Sequence, residues 1–276
     1  MNTEEIVAAI ALKHSGNWEN IMCALNQRRD RKAEAEINGE VFNEDYELQP
    51  YLDILRKSDY SYVTILSDQY PAILKKQNMP PFVLFYYGDL SLLSNAYRLV
   101  SVVGSRECTE YGIAKTREVV KELAKEYIIV SGMARGIDTV AHQTAIEMGA
   151  KTIAVLGTGI NICYPLSNKH LYEELKKNHL IISEYPGDVM PEPYFFPRRN
   201  RIIATISRGL FVAEAYARSG TLTAVMFALQ ANRAVMCLPY QAGLGSECNR
   251  LIRDGALMIE GGKDALEILK SEVYLS

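Results

Sequence analysis

Three of the four residues at 198–201 are arginine, in the stretch FPRRNRIIATISRG at 196–209, and the run Ile202, Ile203, Ala204, Thr205 follows at once. Clustered guanidinium groups hold carboxylate or phosphate through paired N–H donors, so anion binding is the first chemistry to test. Residues 195–220 hold five arginines (198, 199, 201, 208 and 218) against one acid, Glu214, in a chain of formal net charge −3. Residues 1–98 carry 10 Lys+Arg against 14 Asp+Glu, and the remainder 20 against 19. A protein wrapped non-specifically around duplex DNA would be basic throughout, whereas local basicity in a mildly acidic chain predicts a defined anion pocket. The apolar run would anchor a short helix in the core, with Arg198, Arg199 and Arg201 at the pocket rim.

Two further short motifs suit the same chemistry. Gly104-Ser105-Arg106 ends an apolar run, and Ser219-Gly220-Thr221, preceded by Arg218, opens an apolar helical pattern. Serine or threonine there caps a helix or, with its exposed N–H groups, receives an anion. The pair Phe195–Phe196 suits either a core or the stacking of bases. His142 reads as structural.

Other chemistries lack their residues. Five cysteines (23, 108, 163, 237, 248) are scattered without a C-x-x-C pair, and none of the four histidines has metal-ligand spacing. GTG at 157–159 would need a third glycine at 162 to bind a dinucleotide, and isoleucine stands there. G-x-S-x-G and G-x-x-x-x-G-K-[ST] are missing, and Glu184 and Glu214 are single carboxylates rather than an Mg²⁺ cluster. The expectation is a site that holds phosphate without breaking a bond, and that uses neither metal nor cofactor. No apolar run is long enough to cross a membrane, and the N-terminus has acids where a secretion signal needs bases, so the cytoplasm is the expected location.

What would position these motifs is an alternation of strands and helices. The apolar runs 99–104, 127–132, 152–157, 180–185, 209–215 and 234–239 are continuous rather than alternating, as in strands buried on both faces of a parallel sheet. Helical patterns lie between them, one near 111–125 and one after 220, and Asp138 is expected to N-cap a third carrying Ala141, Ala145 and Ile146. This predicts an α/β fold with a Rossmann-like, doubly wound, mostly parallel sheet over residues 99–276. In such sheets ligands bind beyond the carboxyl ends of the strands, where the Arg106, Arg135 and Arg218 loops fall. Residues 1–58 read as a small helical N-terminal domain, and 59–98, rich in proline and aromatics, as an extension packing on the sheet domain.

In order along the chain, QYPAILKKQNMPPFVLFYYGD, VVGSR (102–106), SGMARGIDTVAH (131–142), TIAVLGTGINICYPLSN (152–168), SEYPGD (183–188), FPRRNRIIATIS (196–207), VAEAYARSGTLTA (212–224) and NRLIRDGA (249–256) resemble the DNA-processing protein family DprA/Smf. The resemblance spans about residues 60–260, and the N-terminal helices are similar in position to the family's sterile-alpha-motif-like domain. It implies sequence-independent binding and protection of single-stranded DNA, loading of the RecA recombinase during natural transformation, and a homodimer through the Rossmann domain. It further implies that DNA is held by Gly104, Ser105, Arg106, Lys169, Phe196, Pro197, Arg198, Arg199, Asn200, Arg201, Ser219, Gly220 and Thr221. Two departures stand out: Tyr240 follows Pro239 where the family has glycine, and Glu247 replaces a glycine in the S-x-G-x-N block. The winged helix that ends many members is expected to be missing. A competing reading is a Rossmann-type nucleotide phosphoribohydrolase of the lysine-decarboxylase-like group, although ARSGTLTA has no acid between Thr221 and Gln230.

Overall fold

The computed structural model describes residues 2–39, 45–242 and 246–271. A nine-stranded sheet runs in the order β1-β2-β6-β5-β4-β3-β7-β8-β9. The six strands expected from the apolar runs are β3 (Leu99–Gly104), β4 (Ile128–Ser131), β5 (Thr152–Gly159), β6 (Leu180–Tyr185), β7 (Gly209–Glu214) and β8 (Ala234–Cys237). All pair in parallel, as does the short β9 (Leu257–Met258) at one edge. At the other edge β1 (Ser61–Thr64) and β2 (Val83–Gly88) add antiparallel, with β2 registered on β6. The extension therefore continues the sheet itself, and its short helix α4 (Ala72–Lys75) packs against the helix at 195–206.

The apolar side chains form two clusters, which alternation divides between the two faces at β5 and β6, while the larger takes both faces of β3, β7 and β8. Ile153 and Val155 of β5 point into one core with Leu180 and Ile182 of β6, while Ala154, Leu156 and Ile181 point into the other. The first core takes α5 (Glu110–Leu123), α8 (Phe195–Ile206), α9 (Gly220–Gln230) and α11 (Gly262–Lys270). The second takes α7 (Lys169–Asn178) and the N-terminal helices α1 (Thr3–Lys13), α2 (Trp18–Asn38) and α3 (Gln49–Lys57), which join β2 and β6 in one apolar cluster. Trp18 fixes this docking, stacking on Phe82 with its Nε1–H donating to the Pro80 carbonyl at 2.8 Å. The remaining helices are α6 (Ile137–Glu147) and α10 (Cys248–Arg253), and α6 packs against β3, β4 and β5.

Asp138 is not the N-cap of α6. Gly136 takes that position at φ +77, and Asp138 sits within the first turn, accepting from the Ala134 N–H at 3.2 Å. Three parts of the sequence reading lie outside the described residues: positions 1 and 40–44 of the N-terminal helical domain, 243–245 of the loop after β8, and 272–276 beyond α11.

His142 of α6 is fully buried, bonded through Nδ1 to Thr152 Oγ1 at 2.7 Å, and burial pushes its pKa down to about 3. The unfolded chain takes up this proton near pH 6.5, the ordinary value for histidine, while the folded chain does not until about 3. Between those limits the folded state binds fewer protons, so stability falls as pH falls. The expected slope is about 1.4 kcal/mol per pH unit for this one group in that window. His179, also pushed down chiefly by burial, adds in the same direction. Urea titrations at pH 7, 6 and 5 measure the slope, and an unchanged midpoint across them would contradict a neutral buried His142.

Candidate nucleic-acid interface

Strand order reverses between β3 and β7, the neighbours from which the chain winds outward in both directions. A crevice forms outside the carboxyl ends of strands at such a point. Here it is a cleft of about 870 Å³ walled by residues 103–107 at the end of β3, Tyr216 and 219–221 after β7, and one face of α8. Ten of the thirteen residues singled out from the sequence line it: Gly104, Ser105, Arg106, Phe196, Pro197, Arg199, Asn200, Ser219, Gly220 and Thr221. Lys169, Arg198 and Arg201 do not.

Arg106 is exposed, its guanidinium carbon 5.3 Å from the centroid of the Phe196 ring. The preceding turn is closed by Ser105, whose Oγ donates to the Glu107 carbonyl at 2.8 Å and accepts the Glu107 N–H at 3.1 Å. The Ser105 carbonyl in turn accepts the Ile137 N–H at 3.1 Å, tying the arginine loop to the start of α6. Gly136 makes this possible, since a Cβ there would lie 2.3 Å from the Ser105 carbonyl oxygen and 2.7 Å from that of Arg106, at a φ of +77. Gly136→Ala is expected to cost about 3 kcal/mol or more, because backbone must shift and a strained φ must be held. Thermal melts of the variant would show this, and a melting temperature equal to the wild type would contradict it.

The phenylalanine pair divides. Phe195 is core, stacked on Tyr185 at 3.8 Å between centroids. Phe196 is half-buried on the cleft wall, 5.5 Å from Tyr164. The ring on the Arg106 side is the one available to a base.

At the start of α9, Ser219 holds the N-cap position but makes no side-chain cap bond, and its buried Oγ has no partner among the described residues. Asn200 Nδ2 donates to the Gly220 carbonyl at 2.9 Å and fixes this helix end against α8. The cleft is thus lined on one wall by a helix N-terminus with its positive dipole end and a free hydroxyl, and on another by an exposed arginine over an aromatic ring.

The expectation that the three arginines of α8 stand at the pocket rim is corrected. Arg199 is only 4% exposed and donates through Nη1 to the carbonyls of Gly132 and Val155, with Nε on Asn200 Oδ1 at 3.1 Å. Burial lowers its pKa to about 10, partly offset by the Asp138 carboxylate, so it remains a cation at neutral pH. Gly132 leaves the space for it, since a Cβ there would lie 2.5 Å from Nη1. Arg201, also buried, pairs with Glu184 of β6. Arg198 reaches Glu19 of α2, the same contact that holds the Glu19 carboxyl below its ordinary range. Helical spacing explains the split: 196, 199, 200 and 203 share the face turned to the cleft, whereas 198, 201 and 205 face away. Ile202 and Ile203 anchor the helix as expected, each 1% exposed. Lys169 is exposed at the start of α7.

The acids near the cleft are largely occupied. Glu214 accepts from the Thr109 N–H and Oγ1 at 3.0 Å and from the hydroxyls of Tyr216 and Tyr240. Asp138 is buried, its carboxyl raised by desolvation and opposed by Arg199. Glu107 is exposed at the mouth. Tyr216 lines the cleft and was not singled out from sequence, although the strand-end rule covers its loop. Of the two departures, Tyr240 packs edge-on against Tyr111 and donates to the Ala213 carbonyl at 2.9 Å, so it is a core strut. Glu247 pairs with Arg250 at 3.1 Å and does not line the cleft.

A family model for DNA recombination-mediator protein A matches residues 61–270. DNA processing protein DprA of Streptococcus pneumoniae is 43% identical over 205 residues, covering 74% of this chain and 72% of that protein. The X-ray structure of DprA from the same species covers 96% of this chain and 98% of its own, at 34% identity and a TM-score of 0.81. A DprA structure from Helicobacter pylori, described for its single-stranded DNA binding mode, matches 77% of this chain and 96% of its own at 28% identity and a TM-score of 0.69. The family model spans well over half of the chain and the identity to DprA exceeds 30%, so the chain belongs to the DNA recombination-mediator protein A family of DprA and Smf proteins.

Proposed function

We propose that the cleft between the ends of β3 and β7 binds single-stranded DNA without regard to sequence. The observation that carries this reading is the pairing of exposed Arg106 over Phe196 with the open N-terminal turn of α9 across the same cleft. Phosphate would sit between guanidinium, Ser219 hydroxyl and helix N–H groups, while a base lies on the Phe196 ring. The single-stranded DNA binding mode ascribed to the Helicobacter pylori relative supports the choice of strand. In this reading Gly104, Ser105, Pro197, Asn200 and Thr221 shape the pocket, Arg199 braces it from beneath, and exposed Arg135, Arg218 and Lys169 extend the track.

The same reading makes the protein a binding module that protects the strand and passes it to a RecA-type recombinase in the cytoplasm, acting as a homodimer. The word "mediator" in the family's description supports the hand-over. No described helix is long and apolar enough to cross a membrane. Binding is favoured over nucleotide hydrolysis because Glu214 and Asp138 are engaged with protein donors or buried. Release of free base from a nucleoside monophosphate would reverse that preference.

Counterion release gives a direct test. With about four cations on the track, log affinity for oligothymidine is expected to fall with log salt at a slope of about −2 to −3. Fluorescence anisotropy at several salt concentrations measures it, and a flat dependence would contradict phosphate binding by these cations.

A further inference from the structure

On the far side of α8 lies a second cleft of about 850 Å³, bounded by residues 71–79, 93–97, the outer face of α8 and the end of α9. Its lining holds five cations, Lys76, Arg198, Arg201, Arg208 and Arg233, and no carboxylate. Arg198 and Arg201 have Glu19 and Glu184 as partners, but Lys76, Arg208 and Arg233 form no ion pair among the described residues. Three separate segments of the chain therefore bring uncompensated positive charge to one concavity.

The donors are also unspent. Arg201 is 5% exposed, yet its Nε and Nη1 have no hydrogen-bond partner among the described residues. The same holds for Arg208 Nε, Arg233 Nε and the Gln77 carbonyl oxygen. Arg208 spends one nitrogen on the Ser271 carbonyl at 3.0 Å, and desolvation lowers the Arg233 pKa. Buried guanidinium nitrogens left open are costly unless a ligand satisfies them. The remaining lining supplies flat and amide groups: exposed Tyr97, half-buried Phe227, and the amides of Asn78, Asn95, Gln230 and Asn232. Rings and amides beside a cation cluster are the groups that a base and its phosphate each need.

We propose that this second cleft is a nucleotide-binding site, taking phosphate on Lys76, Arg208 and Arg233 and the base against Tyr97 or Phe227. The shared chemistry is a 5′-phosphorylated nucleoside, supplied either free or as one unit of a strand. The assignment stands apart from the first cleft, because α8 separates the two and Arg106 lines only the first.

The test titrates the intact protein with AMP, adenosine and a labelled oligothymidine, using wild type, Lys76→Gln/Arg233→Gln, Arg208→Gln and Arg106→Ala. A control, Lys121→Gln/Lys263→Gln, removes the same charge from exposed positions on α5 and α11. For a free nucleotide, one AMP binds per chain, adenosine at least tenfold more weakly, and both second-cleft variants weaken AMP at least tenfold while Arg106→Ala leaves it unchanged. For a strand, AMP does not bind, and oligothymidine weakens at least fivefold in both second-cleft variants but not in the control. The proposal is overturned if neither AMP nor oligothymidine weakens in those variants, if the control weakens oligothymidine equally, or if AMP binding responds only to Arg106→Ala. Loss of oligothymidine binding in Arg106→Ala tests the first cleft separately.

Discussion

Replacing Glu184 with glutamine, or Arg201 with methionine, is expected to lower unfolding stability by about 3–5 kcal/mol, because each leaves the other charge buried without its partner. Both side chains are 6% exposed and face each other across the junction of β6 and α8. Arg201 also backs onto the second cleft, so its loss would disturb both. The double change Glu184→Leu with Arg201→Met should cost much less than the sum of the singles, since two apolar groups leave no uncompensated charge. Denaturant titration of the two singles and the double gives the coupling directly. Additive losses would mean that the pair is not energetically coupled.

The second large effect is on binding. Arg106→Ala is expected to weaken oligothymidine binding about 10- to 100-fold, since a charge-assisted hydrogen bond to phosphate is worth about 1.5–3 kcal/mol and each 1.4 kcal/mol is tenfold. Arg106 is exposed, with its guanidinium over the Phe196 ring, so its removal should leave the melting temperature near that of the wild type. Arg199→Ala would confuse the two effects, because the carbonyls of Gly132 and Val155 lose their donor and the cleft floor with them. A binding loss in Arg106→Ala at unchanged stability separates ligand contact from scaffold. Unchanged affinity would remove Arg106 from the site.

The Rossmann-like core was legible because a strand buried on both faces reads as an apolar run rather than an alternating one, and β3 through β8 do so despite buried polar residues such as Ser101, Ser183 and Glu184. The strand-end rule then placed the GSR and SGT motifs opposite one another. The antiparallel pair β1 and β2 was not legible as sheet, because a four-residue strand and an aromatic one beside prolines carry little periodic signal. The arginines of α8 misled for a different reason. Composition reveals that charge is concentrated, but only helical phase and the positions of Glu19, Glu184 and the Gly132 carbonyl decide where each guanidinium goes. Those partners lie 179, 17 and 67 residues away in sequence. Asp138 likewise resembled a cap by type, yet glycine at 136 starts α6 two residues earlier.

The most direct test of the central claim is a crystal structure of the protein with oligothymidine. The account predicts a phosphate within hydrogen-bond distance of Arg106 and of the Ser219 hydroxyl or the first N–H groups of α9, with a base on the Phe196 ring. A strand bound elsewhere, with the cleft between β3 and β7 left unoccupied, would contradict it.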